Sequence, residues 1–142
     1  MSEQETSKDE VKFRDENGLA RPGGEQPTVI RIDGRREWWQ EGKLHRDGDR
    51  PAVYFPNGSK MWLSNGILHR EADRPAIVWA DGSEEWWLNG VRHREGDLPA
   101  VIYADGTQEW WVKGKQHRED DLPAVVWIDG YMEWWLNGKR YK

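Results

Sequence analysis

The sequence contains no cysteine, which excludes disulfide bonds and thiolate chemistry and fits a reducing compartment. It also has no apolar run that approaches the length of about 18 residues needed to cross a membrane. The first ten residues, MSEQETSKDE, are polar and charged and do not resemble a secretory signal. We therefore expect a cytoplasmic protein without a membrane span.

Apolar residues are scarce, and much of the apolar surface belongs to tryptophan. The chain has 142 residues, of which 36% are hydrophobic and 33% are charged, and it contains 11 Trp. This length suits a single domain with a modest core. Folding alone rarely requires so many Trp, so the extra aromatic surface either packs within the chain or binds a partner.

The sequence repeats with a period of 24 residues, the kind of fixed period that decides the architecture of a protein. Four motifs carry the repeat, and their members are His45-Arg46, His69-Arg70, His93-Arg94 and His117-Arg118; Pro51-Ala52, Pro75-Ala76, Pro99-Ala100 and Pro123-Ala124; Trp38, Trp62, Trp86, Trp110 and Trp134; and Trp39, Leu63, Trp87, Trp111 and Trp135. The last two sets make adjacent pairs, which are Trp-Trp in four repeats and Trp62-Leu63 in the fifth.

Each repeat has the pattern of two short strands joined by tight turns. The Pro-Ala-Val runs are rich in β-branched and aromatic residues, and Asp-Gly and Asn-Gly tolerate the positive φ of hairpin turns. In one copy, residues 76–79 and 84–88 are the predicted strands. The fold class is therefore all-β, an elongated, twisted antiparallel sheet of tandem 24-residue hairpins over residues 27–142. Residues 1–10 are predicted to be a disordered tail, and residues 11–26 a degenerate repeat or cap.

Strand geometry separates the two Trp of each pair, because successive side chains in a strand point to opposite faces. The first Trp of each pair shares its face with apolar residues, which predicts a buried ladder. The second shares its face with glutamates, which predicts a half-exposed ladder. It either packs beneath long charged side chains or forms a recognition surface. The predicted partner-binding residues are Trp39, Trp87, Trp111, Trp135, Glu85 and Glu109.

The repeated polar residues do not indicate catalysis or metal binding. Equivalent His in neighbouring repeats would lie about 9.5 Å apart, since a repeat adds two strands, and could not share one ion. We instead interpret His-Arg-x-x-Asp as a loop brace, in which Arg94 pairs with Asp97 or with a neighbouring loop. No nucleophile motif, phosphate loop or zinc motif is present. The sequence therefore predicts no enzyme activity, no cofactor and no metal.

The distribution of charge does not favour nucleic acid as a partner. The net charge is -5, and no repeat carries a strong basic stripe for neutralising phosphates. Residues 75–98 hold five acidic and two basic side chains, and residues 99–122 hold five acidic and three basic ones. The sequence therefore predicts no direct binding of nucleic acid, but allows a local acidic patch over residues 75–122.

The unit EWWLNGKxHRxxDxPAVxxxDG resembles the MORN repeat over about residues 27–142. The matching residues include Trp87, Asn89-Gly90, His93 and Asp105-Gly106. Arg94 stands where that family has glycine. The resemblance implies a twisted sheet of successive hairpins that serves as a scaffold for protein contacts.

We expect a non-enzymatic, protein-binding repeat module, by analogy a small phage-type inhibitor of a host enzyme or defence complex. The alternative is a carbohydrate- or choline-binding module, since Trp-Trp hairpins also resemble cell-wall-binding repeats and aromatic cages bind quaternary ammonium. A third reading is a homodimer formed through sheet edges or the aromatic face.

The assignment of the two ladders predicts opposite outcomes for two substitutions. Trp86→Ala should destabilise the protein by about 3–5 kcal/mol, as is typical of emptying a large aromatic site. The double change Trp87→Ala/Trp111→Ala should weaken partner binding with little loss of folding. Chemical denaturation measures the stability of both variants, and unfolding of the double variant would place the second ladder in the core.

Overall fold

The chain divides into two compact units, unit 1 (residues 1–67) and unit 2 (residues 68–142). The structure is a computed structural model, and it describes residues 4–7, 10–13 and 25–142. The predicted tail (1–10) and cap (11–26) therefore lie largely outside the described residues. Within them the structure gives the backbone of β1 (Gln4–Ser7) and β2 (Glu10–Phe13), which pair with each other.

Each unit contains an antiparallel main sheet in which the strand order follows the chain. In unit 1 the order is β1, β2, β3 (Val29–Arg31), β4 (Arg36–Glu37), β7 (Val53–Tyr54) and β8 (Lys60–Met61). In unit 2 it is β11 (Ile77–Val78), β12 (Glu84–Glu85), β15 (Val101–Ile102), β16 (Gln108–Glu109), β19 (Val125–Val126) and β20 (Met132–Glu133). Over the described residues there is no helix, so none that could cross a membrane. The predicted all-β fold of successive antiparallel hairpins is confirmed.

Further strands form small hairpins beside the main sheets. In unit 1 they include β5 (Trp39–Gln40) with β6 (Lys43–Leu44). In unit 2 they are β13 (Trp87–Leu88) with β14 (Val91–Arg92), β17 (Trp111–Val112) with β18 (Lys115–Gln116), and β21 (Trp135–Leu136) with β22 (Lys139–Arg140). The remaining strands are β9 (Leu63–Ser64) and β10 (Ile67–Leu68), the latter spanning the boundary between the units.

The predicted strand over residues 84–88 is split in two at Trp86. Its first half, β12, pairs with β15 in the main sheet, whereas its second half, β13, pairs with β14. Trp86 belongs to neither half, and its N–H donates to the carbonyl of Ala100 at 2.8 Å. The hairpin of β13 and β14, which we call the second hairpin of the repeat, lies outside the main sheet. Its strands are joined directly by a tight turn at Asn89 (φ 50°) and Gly90 (φ 81°).

The Asp-Gly turn has the geometry that its sequence predicts. In unit 2, Gly82 (φ 92°) donates to the carbonyl of Trp79 at 3.0 Å, and the Asp81 carboxylate accepts the N–H of Ser83 at 2.8 Å. A left-handed residue at the end of a three-residue loop suits glycine, which lacks a Cβ.

The first Trp of the pair and the Pro-Ala alanine form the core of unit 2. Trp86 and Trp110 are buried, and Ala76, Ala100 and Ala124 are completely inaccessible to solvent. The same holds in unit 1 for Trp38 and Ala52. The predicted buried ladder is confirmed at these positions, and the alanine of the Pro-Ala motif lies in the same core.

Enlarging one of these alanines should therefore overpack the core. Ala100→Leu should lower the free energy of unfolding by about 1–3 kcal/mol, measured by urea denaturation. Ala104→Leu is a matched control, because Ala104 is exposed and its counterpart one repeat later is Ile128. Equal stability of both variants would show that the space around Ala100 is not closely packed.

Candidate functional site

Two arginines of unit 2, Arg94 and Arg118, each join their own His-Arg loop to the preceding loop. The Arg94 guanidinium makes a bidentate pair with Asp73, at 2.7 Å from Nε to Oδ1 and 3.1 Å from Nη2 to Oδ2. It also donates to the carbonyl of Pro99 at 3.0 Å and lies 3.7 Å above the centre of the Trp86 ring. Arg118 repeats this arrangement on Asp97, Pro123 and Trp110. The predicted brace is confirmed, with the partner in the neighbouring loop.

The histidines hold the following hairpin. The Nδ1 atom of His93 accepts the backbone N–H of Lys113 at 3.0 Å, and His69 and His117 accept those of Asn89 and Asn137 in the same way. The Nε2 atom of His69 lies 2.8 Å from the Glu71 carboxylate. A ring that accepts at Nδ1 and donates at Nε2 is a neutral imidazole.

In unit 2, the second Trp of each pair donates to the glutamate two residues earlier. Trp87 Nε1 bonds to Glu85 Oε2 at 3.0 Å, and Trp111 Nε1 bonds to Glu109 Oε2 at 2.7 Å. Trp135 does the same with Glu133, and in unit 1 Trp39 does so with Glu37. The four rings are half-buried, so the second ladder is partly structural.

The two predicted glutamates, Glu85 and Glu109, accept hydrogen bonds from aromatic side chains. Glu85 is only 7% exposed and accepts from Trp79 Nε1, Trp87 Nε1 and Arg92 Nε at 2.8–3.0 Å. Glu109 is half-buried and accepts the Tyr103 hydroxyl at 3.2 Å. Burial, together with the Glu109 charge, raises the pKa of Tyr103. The structure therefore places the Glu85 carboxylate inside the protein, where its oxygens are occupied.

Arg92 joins two of the predicted partner-binding tryptophans. Its guanidinium carbon lies 5.2 Å from the ring centres of both Trp87 and Trp111, within the range of cation–π attraction. Trp79 shares the acceptor Glu85 with Trp87, and Tyr103 shares the acceptor Glu109 with Trp111. We call these five side chains the aromatic patch: Trp79, Trp87, Arg92, Tyr103 and Trp111. Trp79 is 36% exposed and Tyr103 39% exposed.

Sequence reasoning missed Trp79 and Tyr103 as members of this patch. Both precede the Asp-Gly turn and recur with Phe55 and Trp127 at the 24-residue period. Strand alternation could have identified Trp79. Ile77 pairs with Glu85, and Trp79, two residues after Ile77, lies on the same face of the sheet as Glu85. The sequence prediction was limited to the second Trp of each pair and to Glu85 and Glu109.

These contacts also change the expectation for Trp87→Ala/Trp111→Ala. Each substitution removes an N–H donor from a partly or fully buried carboxylate, and leaving such a group with fewer partners costs stability. The double variant is therefore expected to be destabilised.

Two grooves open between the loops and second hairpins of unit 2. The first has a volume of about 530 Å³ and is lined by residues that include Trp86, Trp87, Leu88 and Leu98. The second has a volume of about 430 Å³ and is lined by their counterparts Trp110, Trp111 and Val112, again with Leu98. Residues 93–96 and Leu98 line both grooves, so the grooves adjoin.

Within the described residues, no three His, Cys, Asp or Glu side chains converge as a metal site would require. Three features define the class of this protein: the 24-residue period, the paired hairpins and the loop braces. It is a tandem β-hairpin repeat protein. Comparisons with known proteins gave no match, either to a family model, to a curated protein or to a solved structure.

The braces predict a specific acid dependence of stability. Hydrogen bonds from Arg118 lower the pKa of Asp97. The stabilisation from this pair is therefore complete above the ordinary aspartate pKa of about 3.9 and is lost as the pH falls through the lower pKa of the folded state. Asp97→Asn should reduce the loss of stability below about pH 4, measured by urea denaturation across pH.

Arg118→Gln is the matched variant, because it keeps the carboxylate and removes the cation. It should weaken the acid dependence in the same direction. If Asp97→Asn left the pH profile of the unfolding free energy unchanged, the pair would contribute no stability.

Proposed function

We propose that this protein is a non-enzymatic repeat module that binds a partner protein through the aromatic patch of unit 2. The observation that carries the proposal is the Arg92 guanidinium held between Trp87 and Trp111, beside exposed Trp79 and Tyr103. Trp, Tyr and Arg are the residues most enriched among binding hot spots.

The hydrogen bonds of the patch favour recognition by ring faces. The indole N–H groups of Trp79 and Trp87 are bound to Glu85, and those bonds fix the rings before a partner arrives. A side chain that is already ordered loses less conformational entropy on binding. The patch therefore offers apolar, π-rich surface at low entropic cost.

The polar groups support a binding role over catalysis. The His-Arg loops and the Trp-bound glutamates make the same structural contacts in successive repeats of unit 2. An active site is a single asymmetric constellation, and these contacts are periodic. The hairpin repeats and the matching motif residues also support the proposal that this is a variant MORN-like module.

The position of Arg92 bears on the carbohydrate- or choline-binding alternative. An aromatic cage for quaternary ammonium would use the space between neighbouring rings, and between Trp87 and Trp111 that space holds the guanidinium. Choline would have to displace an internal cation that also bonds to Glu85. We therefore favour the protein partner.

The proposal predicts that Trp79→Ala/Tyr103→Ala weakens partner binding by about tenfold or more, because hot-spot truncations typically cost at least 2 kcal/mol. The partner would be isolated by affinity capture with the intact protein and its affinity for each variant measured by surface plasmon resonance. Ile128→Ala is the control, since Ile128 is an exposed residue outside the patch.

Circular dichroism would establish that the variants remain folded. Unchanged partner affinity of the folded double variant would overturn the proposal. Saturable quenching of Trp fluorescence by choline or glycans, lost in the double variant, would favour the small-ligand alternative.

A further inference from the structure

We infer that the two adjoining grooves of unit 2 are a docking surface for a proline-rich segment that carries Lys or Arg and adopts the polyproline II conformation. The inference rests on the proposed function, since it names the chemistry of a protein partner. It concerns the grooves, however, which share only Trp87 and Trp111 with the aromatic patch.

The apolar lining of the grooves suits such a ligand. Trp86, Trp87 and Leu88 line the first groove, and Leu98, 41% exposed, stands where the two grooves meet. Polyproline II segments have no internal hydrogen bonds and dock in aromatic-lined grooves through their rings and apolar side chains.

The spacing of the grooves matches the polyproline II period. Each repeat of the main sheet adds two strands at about 4.8 Å each, so equivalent points lie about 9.6 Å apart. Three residues of polyproline II span about 9.3 Å. Every third residue of one segment can therefore reach equivalent positions in both grooves, whereas alternate residues of an extended strand recur at about 6.6 Å.

The charge at the rim selects a basic segment. Glu71, Glu95 and Glu119 line the grooves, and their side chains are 80%, 85% and 72% exposed. The histidines beside them accept backbone N–H groups at Nδ1 and are neutral, so they leave the carboxylate charges uncancelled. Of the arginines that line the grooves, Arg94 and Arg118 are paired with Asp73 and Asp97, and Arg70 donates to the carbonyl of Pro75.

The residue before each Pro-Ala motif also lowers the positive charge beside the grooves. Arg50 and Arg74 occupy that position in the earlier repeats, and Leu98 and Leu122 occupy it in the later ones. A cation is thus replaced by an exposed apolar side chain where the grooves meet, which favours a ligand with both apolar and basic residues.

The inference is tested with synthetic peptides of about twelve residues, long enough to span both grooves. A Pro-Pro-Arg repeat should bind the intact protein with saturable fluorescence anisotropy. A Gly-Ser-Arg repeat has the same charge but is flexible, and it should bind about tenfold more weakly or less. A Pro-Pro-Glu repeat should not bind. Equal binding of the two basic peptides would overturn the polyproline II geometry, and binding of the acidic one would overturn the charge argument.

Leu98→Arg is the decisive variant, because the fold already accepts arginine at positions 50 and 74. It should lower the affinity for the Pro-Pro-Arg peptide by about tenfold or more through like-charge repulsion. Ile128→Arg adds the same charge at an exposed site that lines neither groove and should leave the affinity unchanged. If Leu98→Arg bound the peptide as well as the unmodified chain, the grooves would not be the docking site.

The peptide experiment and the patch experiment can each overturn its own proposal without overturning the other. Absence of peptide binding, together with loss of partner affinity in Trp79→Ala/Tyr103→Ala, would overturn the groove inference and leave the proposed function standing. Peptide binding that depends on Leu98, with a partner indifferent to the patch variants, would place recognition in the grooves and remove the patch.

Discussion

The regular spacing of the loops in unit 2 depends on one arrangement. An arginine makes a cation–π contact with a buried tryptophan and an ion pair with the aspartate of the preceding loop. Arg94 does this with Trp86 and Asp73, and Arg118 with Trp110 and Asp97. The cation–π contact contributes about 0.5–2 kcal/mol, and a partly exposed ion pair about 1 kcal/mol at most. Burial of the ring contributes more, but the arginine fixes the position of one loop relative to the next.

The same brace recurs with a different side chain in the last repeat. Lys142 stands one period after Arg118, pairs with Asp121 and lies 5.5 Å from the centre of the Trp134 ring. A lysine cannot reproduce the bidentate pair of an arginine, and Trp134 is less buried than Trp110. Repeat proteins are stabilised by such contacts between nearest neighbours, so each brace contributes to the stability of the two repeats that it joins.

Many polar groups of the repeat make hydrogen bonds within the protein, and these bonds determine which side chains of unit 2 remain exposed to solvent. The histidines accept hairpin N–H groups, and Glu85 accepts from two indoles and an arginine. Trp79, Tyr103, Leu98 and the carboxylates of Glu71 and Glu95 stay accessible. A surface of this composition supports recognition of apolar and basic partner groups, the basis of both proposals.

The sequence by itself determined the period, the all-β class, the two faces of the Trp pair and the burial of Trp86 and Trp110. These follow from local rules, since turn residues and the alternation of side chains along a strand depend on few neighbours. It did not determine that the strand breaks at Trp86, that Arg94 pairs with Asp73 rather than Asp97, or that Glu85 is buried and accepts the indole N–H of Trp79. Only the tertiary structure decided these points, because each depends on which residues of neighbouring hairpins come within hydrogen-bonding distance, and sequence spacing does not fix that distance.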